Sequence, residues 1–158
     1  MAEEVLDAVL KATAVGTTIN LAVPQGTPVV QVTKAMQLPD TTEGGAFRTI
    51  LNNFGRGNRD DDLRANDSSI IQALTLLNDA NIVTRVRASN AQSSVAKTLA
   101  ATKDPGEIAE RLYLATLSRY PSVTERDAAA AYLKSGDLSK KTEDLQFALL
   151  NKLEFLFN

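Results

Sequence analysis

Two helix-start signals follow one another in the second half of the chain, and they constrain its architecture more than any other feature. In "KDPGEIAERLYLATLSRYP" Asp104 stands at a cap position, Pro105 at the first turn and Glu107 three residues after the cap, the spacing of a capping box. Ile108, Leu112 and Ala115 make an apolar stripe behind that start, and Pro121 is placed to end the element. "SVTERDAAAAYL" repeats the logic, with Ser122 and Glu125, or Thr124 and Asp127, as the capping pair and Gly136 just beyond the end. Its alanines admit a close neighbour. The two units together predict a helical hairpin, and a chain built from such units is helical.

The remaining segments extend this pattern. Val5, Leu6, Val9 and Leu10 recur at one-, three- and four-residue spacing, so Ala2 to Val15 reads as a helix with one apolar face, with Gly16 placed to end it. From Thr17 to Gly45 the pattern gives way to Pro24, Gly26, Pro28, Pro39 and Gly44-Gly45 around one β-branched patch, "TPVVQV". That stretch predicts an extended crossing loop with at most one short strand or hairpin. A two-turn helix is expected over Phe47 to Phe54, where Phe47, Ile50, Leu51 and Phe54 share a side and Gly55 follows. Asp67 or Ser68 then caps a helix carrying Ile70, Ile71, Leu74 and Leu77, and "LNDAN" closes it and caps the next, which holds Val83 and Val86. A neighbour around Ser93 to Ala101 contributes Val95 and Leu99. The final "TEDLQFALLNKLEFLFN" sets Leu145, Leu149, Leu153 and Leu156 on one stripe and Phe147, Leu150 and Phe157 on another, which predicts a central helix. The expectation is a mainly α fold: a compact bundle of about six to seven helices with a long irregular N-terminal excursion.

Composition bounds the chemistry. At 158 residues and 44% apolar content the chain is long enough to bury a core as one domain, residues 1–158. Its 17 basic and 19 acidic side chains are interspersed, for a net charge of -2, and no basic patch marks a nucleic-acid partner. Apolar runs such as "FALL" fall far short of the ~20 residues that span a bilayer, so membrane insertion is not expected. The acidic amphipathic start lacks the basic flank and apolar centre of a signal peptide. There is no cysteine, hence no disulfide and no thiolate metal site. There is also no histidine, which removes Ser-His-Asp and Cys-His nucleophile activation and imidazole-bound zinc. Catalysis would have to rest on carboxylates, Lys, Tyr or Arg.

The densest polar stretch is "FGRGNRDDDLRANDSS", where Arg56 and Arg59 precede Asp60, Asp61 and Asp62, with Arg64 and Asp67 beyond. A calcium loop requires oxygen ligands at regular offsets and a distant bidentate Glu, which three consecutive aspartates do not supply. Glycine-flanked Arg56 suits an anion cradle, yet no phosphate-loop pattern is present. The plainer reading pairs the arginines with the carboxylates and makes Asp67 a helix cap. Other acids take simple roles: Glu3, Glu4 and Asp7 in the first turn of the first helix, Glu143 and Asp144 in the first turn of the last, and Asp40 in a turn. Tyr113, Tyr120 and Tyr132 are expected at core edges. Asn66-Asp67-Ser68 matches a glycosylation acceptor, a short and common pattern.

Taken in order, "PQGT", "KAMQLPD", "FGRGNRDDD", "SSIIQALTLLND", "RLYLATLSRYPSVTE", "AAAAYL" and "LQFALLNKLEFLFN" resemble the uncharacterised C-terminal domain of planctomycete-type, cytochrome-c-associated multidomain proteins. The blocks cover nearly the whole chain from about Pro24 onward, and their order and the closing "LLNKLEFLFN" carry the specificity. The resemblance implies a fragment from the C-terminal end of a large exported bacterial protein, extracytoplasmic, with c-type haem domains far upstream when present. It implies no established reaction and no cofactor in this fragment. Some relatives carry cysteines near the polar block where this chain has Asp60 to Asp62, so a thiol role does not transfer. Two functions are therefore weighed: a non-catalytic helical module that docks against neighbouring domains or a protein partner, and a carboxylate and arginine site for Ca²⁺, an anion or a glycan around residues 56–67. A third, contact with a cytochrome domain as an electron-transfer partner, comes from the resemblance alone.

Overall fold

Asp104, Ser122 and Asp137 each open a helix in the computed structural model of the chain, which describes residues 2–21, 25, 28–38, 48–54 and 79–156. The fold is mainly α, with helices α1 (Ala2–Thr13), α2 (Arg48–Asn53), α3 (Ala80–Arg85), α4 (Ser94–Ala101), α5 (Pro105–Leu117), α6 (Val123–Lys134), α7 (Leu138–Leu150) and α8 (Leu153–Leu156) among the described residues. Between α1 and α2 lie two short strands, β1 (Ile19–Asn20) and β2 (Gln31–Val32), and a 3-10 turn at Ala35–Gln37. The strands pair antiparallel with Ile19 opposite Val32, and the Gln31 amide donates to Asn20 Oδ1 at 2.9 Å. The "TPVVQV" patch thus gives one half of a small ladder, while Val29 and Val30 stay exposed.

The caps behave as side-chain chemistry requires. Asp79, Ser93, Asp104, Ser122 and Asp137 accept from backbone N–H groups of the first turns of α3 to α7, satisfying donors that have no intrahelical partner. At Ser122 the capping box is complete, because Glu125 returns a bond to the Ser122 N–H at 2.9 Å. At Asp104 only half forms: Glu107 N–H donates to Asp104, but the Glu107 carboxylate accepts from Arg111 at 2.7 Å instead.

Helix ends depart from the sequence expectation. α1 stops at Thr13 and the left-handed residue is Ala14, with φ 57°, so Gly16 is not the stop signal. The Thr13 hydroxyl donates to Val9 O at 2.8 Å, and Ala14 N–H closes on Lys11 O at 3.1 Å, which ends the helix locally. α5 likewise ends at Leu117 with Ser118 at φ 56°, three residues before Pro121.

The core is centred on α5, which lies against α1, α4, α6, α7 and α8. Its buried face is Ile108, Ala109, Leu112, Tyr113, Thr116 and Leu117, while Ala115 points to solvent. α3 buries Ile82, Arg85 and Val86, with Val83 only partly covered. Despite its four alanines, α6 buries only Ala129 and Leu133, so it is an outer helix resting on α5 and α7. The final segment is two helices. Asn151 Nδ2 donates to the Phe147 carbonyl at 2.8 Å and Lys152 N–H to Leu149 O at 3.2 Å, closing a turn between α7 and α8. That turn shifts the apolar phase: Phe155 is buried and Leu153 is 72% exposed. α7 starts at Leu138, so Glu143 and Asp144 lie in its second turn and not at its start.

Two polar side chains inside the bundle hold the end of α1. Gln146 of α7, fully buried, donates to the Ala12 carbonyl at 2.9 Å and to Ser94 Oγ of α4. Arg85 of α3 donates to the Val15 carbonyl at 2.6 Å, and burial lowers its pKa from the ordinary value. Both serve carbonyls at or just past the C-terminus of α1, where backbone acceptors lack helical partners.

Candidate functional site

The polar block singled out in the sequence, Arg56, Arg59, Asp60, Asp61, Asp62 and Asp67, lies outside the described residues. So do Asp40, Arg64, the Asn66-Asp67-Ser68 triplet and the helix carrying Ile70 to Leu77. Among the described residues no group of three or more His, Cys, Asp or Glu side chains is placed to hold a metal ion. The largest concentration of charge there is elsewhere, at the corner where the α5–α6 turn meets the α7–α8 turn.

Arg119 occupies its centre. The left-handed turn at Ser118 directs the chain off α5 so that the next residue faces back toward the bundle. Its Nη1 donates to Glu125 Oε2 at 2.8 Å and to the Tyr120 carbonyl at 3.1 Å, and its Nη2 to Glu125 Oε1 at 2.9 Å and Glu154 Oε2 at 2.8 Å. Nε–H donates to Glu154 Oε1. All five guanidinium donors therefore have partners, two of them carboxylates held in the fork geometry that favours Arg. Lys152 adds a bond to Glu125 Oε1 at 3.0 Å, and Glu125 also caps Ser122. Both cations lie 5.5 Å from the centroid of the Tyr113 ring, within cation–π range.

The electrostatics follow from this packing. Bonds from Arg119 hold the Glu125 carboxyl far below the usual carboxylate range, helped by the Ser122 N–H and Lys152. Arg119 likewise depresses Glu154, while the paired carboxylates raise Arg119. Burial raises the Tyr113 hydroxyl. A general acid or base needs a pKa near the working pH and a free lone pair or proton. These two carboxylates are locked as anions with their oxygens engaged, and Arg119 has no donor left for a ligand. The cluster is a clasp joining the α5–α6 turn to the α7–α8 turn.

Sequence reasoning found one member in a structural role, Glu125 as the closing half of the capping box. Arg119 and Glu154 were missed because they are 35 residues apart and neither sits in a motif. The usable signal was the charged interruption of the final apolar stripe at Lys152 and Glu154, since a continuous buried helix would not place both there. The acids read as dipole partners have more specific roles. Asp7 accepts from Ala35 N–H and from Met36 N–H at 3.2 Å, capping the 3-10 turn. Glu143 accepts from Ala88 N–H at 2.7 Å and from Arg87 at 3.0 Å, tying α7 to the α3–α4 connection. Of the tyrosines only Tyr113 is buried, and Tyr120 is 67% exposed. No protein-family model, curated protein or solved structure matches the chain.

Proposed function

We propose that this chain is a non-catalytic helical interaction module of a large exported, extracytoplasmic bacterial protein, docking against a neighbouring domain. The observation that carries the reading is the surface around the clasp. Tyr120 adjoins Arg119, Val123 opens the helix that Glu125 caps, and Leu153 lies between Lys152 and Glu154; Val123 is 79% exposed. Tyr120 and Leu153 each adjoin an ion-paired residue and Val123 adjoins the Ser122 cap, so three large exposed apolar side chains stand on backbone that the clasp and the capping box hold, which supports a pre-ordered contact surface. Charged groups nearby are engaged with one another, which supports scaffolding over chemistry. Among the described residues no helix is long and apolar enough to cross a membrane, consistent with a module that is not itself inserted. The resemblance to the C-terminal domain of cytochrome-c-associated multidomain proteins supports the exported context and the neighbouring domain.

The test is binding between this chain and the preceding domain of its parent protein, by calorimetry. Association is expected, and Tyr120→Ser with Val123→Ser and Leu153→Ser is expected to weaken it while the fold is retained. Absence of association, or indifference to the triple change, overturns the docking reading. Saturable heat with Ca²⁺, phosphate or oligosaccharides instead would favour a ligand site around residues 56–67.

A further inference from the structure

A second feature lies at the opposite end of the sequence, between α1 and the 3-10 turn. A cleft of about 550 Å³ opens there, lined by Asp7, Ala8, Leu10 and Lys11 from α1 and by Lys34 and Met36 from the turn region. Its volume lies in the range of small-molecule sites. The floor is apolar, from Leu10, Ala8 and the exposed Met36, and the aliphatic stems of two lysines extend it. Asp7 does not oppose a negative guest strongly, because its two oxygens already accept from the Ala35 and Met36 N–H groups. Neither Lys11 nor Lys34 has an ion-pair partner among the described residues. Two cations against one engaged carboxylate leave the lining net positive by one charge.

From this combination we infer that the cleft binds an amphipathic anion, an aliphatic body ending in a carboxylate. The body covers Met36 and Leu10, and the head group pairs with Lys11 and Lys34. Both halves are needed, since an exposed ion pair alone contributes little. The inference is independent of the docking surface at the clasp.

Sodium decanoate, titrated below its micellar concentration into the whole chain, tests it by calorimetry and thermal melting. One saturable site per chain and a raised melting temperature are expected. Decyltrimethylammonium, with the same tail and the opposite charge, is expected to show no saturable site. Lys11→Gln with Lys34→Gln should weaken decanoate at least tenfold, and Met36→Asp should do the same by placing charge under the tail. Lys103→Gln, whose ammonium bonds the Leu99 carbonyl away from the cleft, should leave binding unchanged and serves as the control for folding. Equal binding of both amphiphiles, or decanoate binding untouched by the double lysine change, overturns the assignment. Binding to phosphatidylglycerol vesicles without a decanoate site overturns it as well and assigns the lysines to a lipid surface.

Discussion

Removing the Gln146 side chain takes two hydrogen bonds out of a place that water does not reach. Gln146→Met keeps the volume but leaves the Ala12 carbonyl without its donor, so a loss of about 1–3 kcal/mol is expected from urea denaturation. Gln146→Ala should lose more, because a cavity is added. The opposite sign is expected at Ala14. A residue with a Cβ in the left-handed region costs about 1–2 kcal/mol, so Ala14→Gly should raise the urea midpoint, and Ser118→Gly should act the same way. Glycine statistics favoured Gly16 as the stop for α1, but the left-handed Ala14, whose N–H closes on Lys11 O, ends the helix two residues earlier. That backbone turn at a residue with a Cβ is set by the path of the chain, which composition does not reveal.

At the scale of elements, what was legible was what is local. Caps at Asp104 and Ser122 act within one turn, and both formed where the spacing placed them. Ser122→Ala is expected to cost about 0.5–2 kcal/mol in chemical denaturation, since it opens the capping box of an outer helix held by a narrow buried face. Periodicity was less reliable where two helices meet. Apolar residues continue at helical spacing through the last segment despite Lys152 and Glu154, yet a turn at Asn151 moves Phe155 inward in place of Leu153. Centrality was legible in part: α7 of the final segment lies against α4, α5, α6 and α8, while α5, with its narrower stripe, lies against five helices. Leu112→Ala in α5 should therefore be among the most damaging apolar truncations, at about 2–5 kcal/mol, and Leu153→Ala nearly silent by the same measurement.

For the whole molecule, the clasp makes stability depend on acid. Glu125 and Glu154 have pKa values depressed below 4.5 in the folded chain, chiefly by Arg119, so between the folded and unfolded values the unfolded chain binds more protons. Their contribution is present above about 4.5, the unfolded value, and fades as pH falls through the folded values. Melting temperature should fall on that acid limb in the wild type, by a modest amount because both carboxylates are partly exposed to water. In Arg119→Ala it should start lower at neutral pH and show a flatter limb, with Arg119→Lys between the two because a single ammonium does not fork two carboxylates. The mainly α architecture was readable from the chain, whereas this joint was not, because it depends on two turns brought together by tertiary packing. The polar block at residues 56–67 had the loudest composition, yet the ionic hub among the described residues is built from side chains at two turns far apart in sequence.

The bond from Gln146 to the Ala12 carbonyl also has a bearing on biosynthesis. It spans 134 positions, so a ribosome releases the acceptor long before the donor exists. During translation α1 lacks the surfaces of α5 and α7, and its Leu6 and Val9 have only nearer segments to lie against. α1 is thus locked in place only after α7, more than a hundred positions behind it, has left the exit tunnel.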